Sequence, residues 1–255
     1  MGAGIKPQAL RPEDGSVSRD SVIPDDLATP KRPRLKRFLT GLGRTVPGLA
    51  AVAQGAANFL LLGAWLRQRG FGGGTEVRDR RALFRHVAAS LGPSPILYLE
   101  FGVYMGASIQ EWSRIISHPQ ARFIGFDSFE GMPEDFDQRT GVVKGELSLE
   151  GRLPAITDPR VSFVKGWFSD TLPRFTVPAH DQLVIHVDCD LYSATRDVFA
   201  ALESFIQPGT VILFDDMSAP LHEPRAFAEY IEATGQKFEL IAYDWEDHYA
   251  FRRVR

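Results

Sequence analysis

Residues 183–192 read Leu183-Val-Ile-His-Val-Asp-Cys-Asp-Leu-Tyr192, and the rest of the chain is organised around them. A short apolar run with the pattern of a buried strand ends in two carboxylates, Asp188 and Asp190. A second run, Val211-Ile-Leu-Phe214, ends the same way in Asp215 and Asp216. An unpaired carboxylate buried in a sheet is costly, so four of them at two strand ends require cations or solvent. In open α/β sheets, ligands bind outside the carboxyl ends of the strands. The first expectation is therefore a divalent-metal site at the rim of a parallel sheet.

Outward from these runs, the apolar pattern alternates between strand and helix. Strands are predicted at 96–101, 122–126, 161–164, 181–187, 210–214, 238–243 and 249–254, and helices at 76–91, 108–117, 192–206 and 224–234. Alternating elements imply an α/β fold, a doubly wound and mostly parallel seven-stranded sheet covered on both faces. The last two strands, joined only by Asp244-Trp-Glu-Asp-His248, must be antiparallel, because a parallel crossover needs about a dozen residues or more. The loop-rich stretch 128–159 is too long for a simple connector and reads as a lid or binding loop.

At 255 residues, 44% hydrophobic and 24% charged, the chain can hold one α/β domain and an appendage. The net charge of −3 argues against a nucleic-acid partner. One cysteine, Cys189, excludes an internal disulfide and a multi-cysteine zinc cluster and suits a reducing cytoplasm. No signal peptide is visible in the polar first 30 residues, and 1–35 is expected to be a disordered tail. Residues 36–75 read as a basic and apolar helical extension: Lys31, Arg32, Arg34, Lys36, Arg37 and Arg44 precede the apolar run 46–66. The preferred reading packs that run on the main domain or on a second subunit, making a homo-oligomer, because Ala/Gly-rich helices insert weakly into bilayers. The alternative is peripheral membrane contact through 31–66, favoured by the basic flank. Phe71-Gly-Gly-Gly-Thr75 is a breaker and the expected boundary with a domain spanning 76–255.

The first predicted strand of that domain runs into Leu99-Glu-Phe-Gly-Val-Tyr-Met-Gly-Ala-Ser108. Gly102 and Gly106 let the backbone turn sharply and let a ligand approach the main chain. Glu100 would repel a pyrophosphate, so a neutral or cationic ligand fits better. The next strand ends in Asp127, where a carboxylate can accept both ribose hydroxyls of a nucleoside.

These stretches resemble class I S-adenosylmethionine-dependent methyltransferases, and specifically the macrocin/mycinamicin/novobiocin sugar O-methyltransferase (TylF-like) family. The resemblance continues through Phe126-Asp-Ser-Phe-Glu-Gly-Met-Pro133, Lys165-Gly-Trp-Phe-Ser-Asp-Thr-Leu-Pro173, His186-Val-Asp-Cys-Asp-Leu-Tyr-Ser-Ala-Thr195 and Phe214-Asp-Asp-Met217. It implies a Rossmann-like methyltransferase domain using S-adenosyl-L-methionine and Mg2+. Gly102 and Ser108 would lie by the methionine part, Asp127 by the ribose, and Gly166, Trp167 and Phe168 by the adenine, with Glu100 also among the cofactor contacts; the alternative for the two aromatics is plain core. Asp188, Asp215 and Asp216 would bind magnesium, and Asp190 would be the general base. Cys189 stands where the family has Gly, and Ser193-Ala194 where it has Glu-Ser; 217–223 departs further, so the acceptor, a sugar or glycosylated small molecule, can differ.

The chemistry is consistent with that assignment. Magnesium takes hard oxygen ligands and can hold two adjacent hydroxyls while acidifying one. Asp190, two residues along an extended chain, would share a side with Asp188 and take the proton. His186 reads as a hydrogen-bonded core residue, His222 as a surface residue, and Glu130, Glu134 and Asp135 as a solvated face. Cys189 between acids should have a raised pKa and is no nucleophile. Two competing readings are a metal-dependent glycosyltransferase built on the Asp188-Cys189-Asp190 motif and a non-catalytic, membrane-associated methyltransferase-like scaffold. Calorimetric titration with S-adenosylhomocysteine against a nucleoside diphosphate separates the enzyme classes, with only the former expected to bind.

Overall fold

The computed structural model describes residues 33–136 and 142–254. Eight strands form one sheet: β1 (Thr75–Glu76), β2 (Ile96–Phe101), β3 (Arg122–Asp127), β4 (Val161–Lys165), β5 (Gln182–Val187), β6 (Val211–Phe214), β7 (Phe238–Tyr243) and β8 (Tyr249–Arg253). Their order is β1-β7-β8-β6-β5-β2-β3-β4, and β8 alone runs against its neighbours β6 and β7. The mostly parallel α/β sheet and its antiparallel C-terminal pair are as expected, but the sheet has eight strands rather than seven. The added strand, β1, pairs with β7 and is too short to show alternation in the sequence. Gly74 explains the close approach, since a Cβ there would lie 2.5 Å from the Leu240 side chain. The expected boundary after residue 75 therefore cuts through β1. The helix expected from residue 76 starts later, as α3 (Arg80–Ser90), where the Asp79 carboxylate accepts the Ala82 N–H at 2.8 Å as an N-cap.

Successive residues of a strand face opposite sides, and the core divides accordingly. Leu97, Leu99 and Phe101 of β2 join Ile185, Val187, Ile212 and Phe214 on one face. Ile96 and Tyr98 join Val184, Val211 and Leu213 on the other. The first face is covered by α6 (Tyr192–Leu202) and α7 (Glu223–Thr234), whose Phe199 and Phe227 stack at 5.9 Å. The second is covered by α3 and α4 (Ala107–Ile115), through Leu83, Phe84, Ile109 and Trp112.

Two helices precede the sheet, α1 (Pro33–Thr45) and α2 (Pro47–Gln68). Most of the expected tail, 1–32, lies outside the described residues, whereas 33–35 open α1, with Pro at its first position where the missing N–H costs nothing. The expectation that 46–66 packs on the main domain holds only at the C-terminal end of α2, where Leu62 and Trp65 are buried and Trp65 lies 5.5 Å from Phe71.

The connection from β3 to β4 is tied down by Arg160. Its guanidinium meets Asp158 at 2.6 Å and donates to the carbonyls of Ile116 at 2.6 Å, His118 at 3.1 Å and Ser113 at the end of α4. Hydrogen bonds from Arg160 hold Asp158 down to about 2, against a smaller opposing effect of burial. Removing the donor strands several partly buried acceptors, so Arg160→Met is expected to destabilise the fold by roughly 1–3 kcal/mol in urea unfolding. The folded-state pKa of Asp158 is depressed, so its contribution is complete above the ordinary carboxylate range and is lost as pH falls through about 2. The wild-type and Asp158→Asn denaturation midpoints should therefore converge in acid.

Candidate active site

A cavity of about 720 Å³ opens at the carboxyl ends of the strands. It is lined by the turn after β2, by Asp127, by Gly166 to Phe168, and by the acidic ends of β5 and β6.

The turn after β2 depends on Gly102. Its φ is +91°, and a Cβ there would fall 1.7 Å from the Asp188 carbonyl oxygen. The chain ends of β2 and β5 can touch only because this residue has no side chain. Asp127 holds the turn from the other side: Oδ2 accepts the N–H groups of Val103 and Tyr104, both at 2.8 Å, and Oδ1 accepts that of Phe129 at 2.7 Å. Ser108 lines the cavity from the first turn of α4, next to the left-handed Gly106. Trp167 is 39% exposed at the wall, so it is not core, whereas Phe168 also packs edge-on against Phe101 at 5.6 Å.

Glu100, expected among the cofactor contacts, does not line the cavity. The pleat turns it to the same face as Tyr98, whose hydroxyl donates to it at 2.5 Å. That hydroxyl also lies 2.8 Å from His186 Nδ1, so His186 is the hydrogen-bonded core residue expected. His222 is half-buried rather than a surface residue, its ring 4.6 Å from Phe136, and it does not line the cavity. Glu134 is exposed, as expected of a solvated face, and accepts from Ser193 at 2.9 Å.

At the ends of β5 and β6, five carboxyl groups crowd together: Asp188, Asp190, Asp215, Asp216 and Glu223. Asp188 and Asp215 converge with His186, their ligating atoms all within 4.8 Å of one another. Arg80 of α3 reaches Asp215 at 3.1 Å and lies 3.9 Å from Asp188. His248 Nε2 approaches Asp215 at 3.3 Å, and its Nδ1 is held by Asp244 at 2.7 Å. Burial opposes ionisation of Asp215, yet His186 and His248 overcome it and hold its pKa well below the usual range. In turn, the acids beside His186 outweigh its burial and raise it to about 10.

Asp190 does not continue the extended chain as expected. Its φ is +62°, a left-handed conformation that Asp tolerates, and its side chain pairs with Asp216 instead of lying alongside Asp188. Burial and the bond to Asp190 push Asp216 up to about 8, and burial raises Asp190 as well. Burial, then Glu223, raises the Cys189 thiol well above its ordinary value, as expected for an inert cysteine.

Glu223 was not foreseen. Fully buried at the start of α7, it accepts the N–H groups of Cys189 and Asp190 on Oε1, both at 3.2 Å, and of Asp216 on Oε2 at 3.3 Å. An acid in a helix's first turn is common enough to pass unremarked. Arg80 offered a better signal, because a cation in the first turn of α3 opposes the helix dipole and calls for a partner.

Macrocin-O-methyltransferase (TylF) is the family whose pattern matches residues 95–253. The chain belongs to that family. It is 33% identical over 115 residues to the mycinamicin III 3''-O-methyltransferase of Micromonospora griseorubida, covering 45% of this chain and 42% of that one. Identity to the demethyldecarbamoylnovobiocin O-methyltransferase of Streptomyces niveus is 31% over 146 residues, 51% of this chain and 54% of the relative. A Streptomyces olivaceus tetracenomycin rhamnosyl 4'-O-methyltransferase is 34% identical over 105 residues, 35% of this chain and 40% of its own. The chain thus spans about half the length, or less, of the curated relatives it matches. The crystal structure of the calicheamicin methyltransferase CalS11 shares the fold, with a TM-score of 0.51 at 21% identity, covering 67% of this chain and 76% of that one. The family match includes Asp188-Cys189-Asp190, so the glycosyltransferase reading is set aside.

The contact between Gly102 and Asp188 makes a direct prediction. Gly102→Ala adds a methyl group against backbone at a positive φ, so the variant should lose several kcal/mol of stability or fail to fold, as read by its melting temperature.

Proposed function

We propose that this chain is a Mg2+-dependent O-methyltransferase that moves the methyl group of S-adenosyl-L-methionine to a hydroxyl of a sugar or glycosylated small molecule. One observation carries the reading: a single cavity joins the glycine turn and Asp127 to the cluster of aspartates. Family membership and the names of the relatives, all O-methyltransferases, support it. The relatives' acceptors are glycosylated natural products by name, and the acceptor class is taken from them.

The residues present fit both groups. Among the described residues, Arg80, His186 and His248 are the cationic groups paired with this cluster of five carboxyl groups, and a hard divalent cation relieves the excess on oxygen donors. Asp188, Asp215 and Asp216 would hold it. The backbone of 102–108, Asp127, and Gly166 with Trp167 and Phe168 would hold the methyl donor, with Trp167 free to stack on adenine. Bound there, the donor supplies a methyl group on a positively charged sulfur, and the cation supplies a Lewis acid.

The chain's own part is orientation and proton removal. Asp190 would take the proton of the acceptor hydroxyl; the bound donor would supply the methyl group to that oxygen and leave as S-adenosylhomocysteine, giving an ether. Glu223 positions Asp190 through its backbone amide. The unit doing this chemistry begins with β1, in a reducing cytoplasm, with α1 and α2 as its helical extension.

Asp190→Asn tests the base. Turnover over a panel of glycosylated acceptors is expected to fall about 10²- to 10⁴-fold, while S-adenosylhomocysteine binds as to wild type. Near-normal turnover would remove Asp190 from the role. For Asp188→Ala, activity should be lost and added magnesium should not restore it; restoration would reassign the metal ligands.

A further inference from the structure

We propose that α1 and the part of α2 preceding Leu62 form a docking surface for an anionic lipid bilayer. The proposal stands apart from the methyl-transfer reading and uses none of its residues.

The first observation is an amphipathic helix facing the wrong way for a soluble fold. Leu35, Phe38, Leu39 and Leu42 recur at the spacing of one face of α1. In a soluble domain that stripe turns to the core, yet Phe38 is 64% and Leu39 53% exposed. The second is α2, whose stretch Gly48–Gln68 is apolar and long enough to cross a membrane, although little of it is buried. Val52, Phe59 and Leu60 are exposed, and only the C-terminal end enters the core.

The third observation is charge. Residues 33–61 carry Arg34, Lys36, Arg37 and Arg44 and no Asp or Glu, in a chain of net charge −3. A second copy would set like charges against each other with no carboxylate in the segment to pair them. Anionic headgroups complement the charges, and the acyl boundary takes the Leu and Phe side chains.

The geometry also separates lying on a bilayer from crossing it. Leu62 and Trp65 anchor one end of α2 in the core. The residues ahead of them, 47–61, extend about 22 Å as helix, short of the roughly 30 Å hydrocarbon layer. With the fold intact, the segment rests on the surface.

Co-sedimentation of the full chain with vesicles tests this. Binding is expected to phosphatidylcholine vesicles containing phosphatidylglycerol, not to phosphatidylcholine alone, and to weaken at high salt. Lys36→Glu with Arg37→Glu should reduce partitioning about tenfold or more, and Phe38→Ser with Leu39→Ser should reduce it with the charge retained. Unchanged melting temperatures in both double variants would show that the fold survives. Three outcomes overturn the proposal: no pelleting with either vesicle, equal pelleting with both, or a soluble dimer that Leu60→Glu dissociates.

Discussion

The crowding of carboxyl groups at the ends of β5 and β6 is the constraint on which the rest of the structure depends. Glu223 is buried and Asp188, Asp190, Asp215 and Asp216 are half-buried, where an uncompensated charge is costly. The fold meets that cost in three ways. Arg80, His186 and His248 surround Asp215. Asp190 and Asp216 face each other, and burial raises both toward the neutral form. Glu223, which burial pushes above the usual carboxylate range, accepts three backbone amides on the two strand ends. Each device recruits a different element, so the acids draw α3, α7 and the β7–β8 turn to one place. The position at the rim of a parallel sheet matters too, because there the strands stop and side chains can meet in a cleft.

The donor side of the cavity is not independent of that cluster. Gly102 touches the Asp188 carbonyl, and the Asp188 N–H bonds the Phe101 carbonyl at 2.9 Å. Asp127 then fixes the same turn from β3 through two further amides. The glycine turn and the acidic strand ends are therefore one rigid construction spanning β3, β2 and β5. Reactions that displace a group in line gain most from such fixed placement, since small misalignments raise the barrier.

Beyond the sheet the physical regime changes. α1 and most of α2 expose apolar side chains and carry only positive charge, whereas the remainder of the chain carries the acids. Trp65 and Phe71, packed against Phe251, make the joint between the two regions. The loop 128–159 contributes differently, burying Phe129 beneath the sheet edge while Met132 and Leu147 reach the cavity wall.

The sequence by itself determined the alternation of strands and helices and the antiparallel C-terminal pair, and it singled out the glycine turn and aspartates that line one cavity. These signals are local: apolar period, glycine at a strand end, acids directly after a buried run. It also placed Glu100 at the right strand end but on the wrong side, because which face of a pleat looks into the cleft depends on the neighbouring strands. Only the tertiary structure brought Arg80, His248 and Glu223 to Asp188, Asp190, Asp215 and Asp216, from elements far apart in the chain. Only it showed the left-handed Asp190 turning from Asp188 to Asp216, and the edge strand β1, whose two residues carry no pattern. The physical reason is the same throughout: periodicity records burial along one element, whereas pairing of charges is settled by elements that meet only after folding.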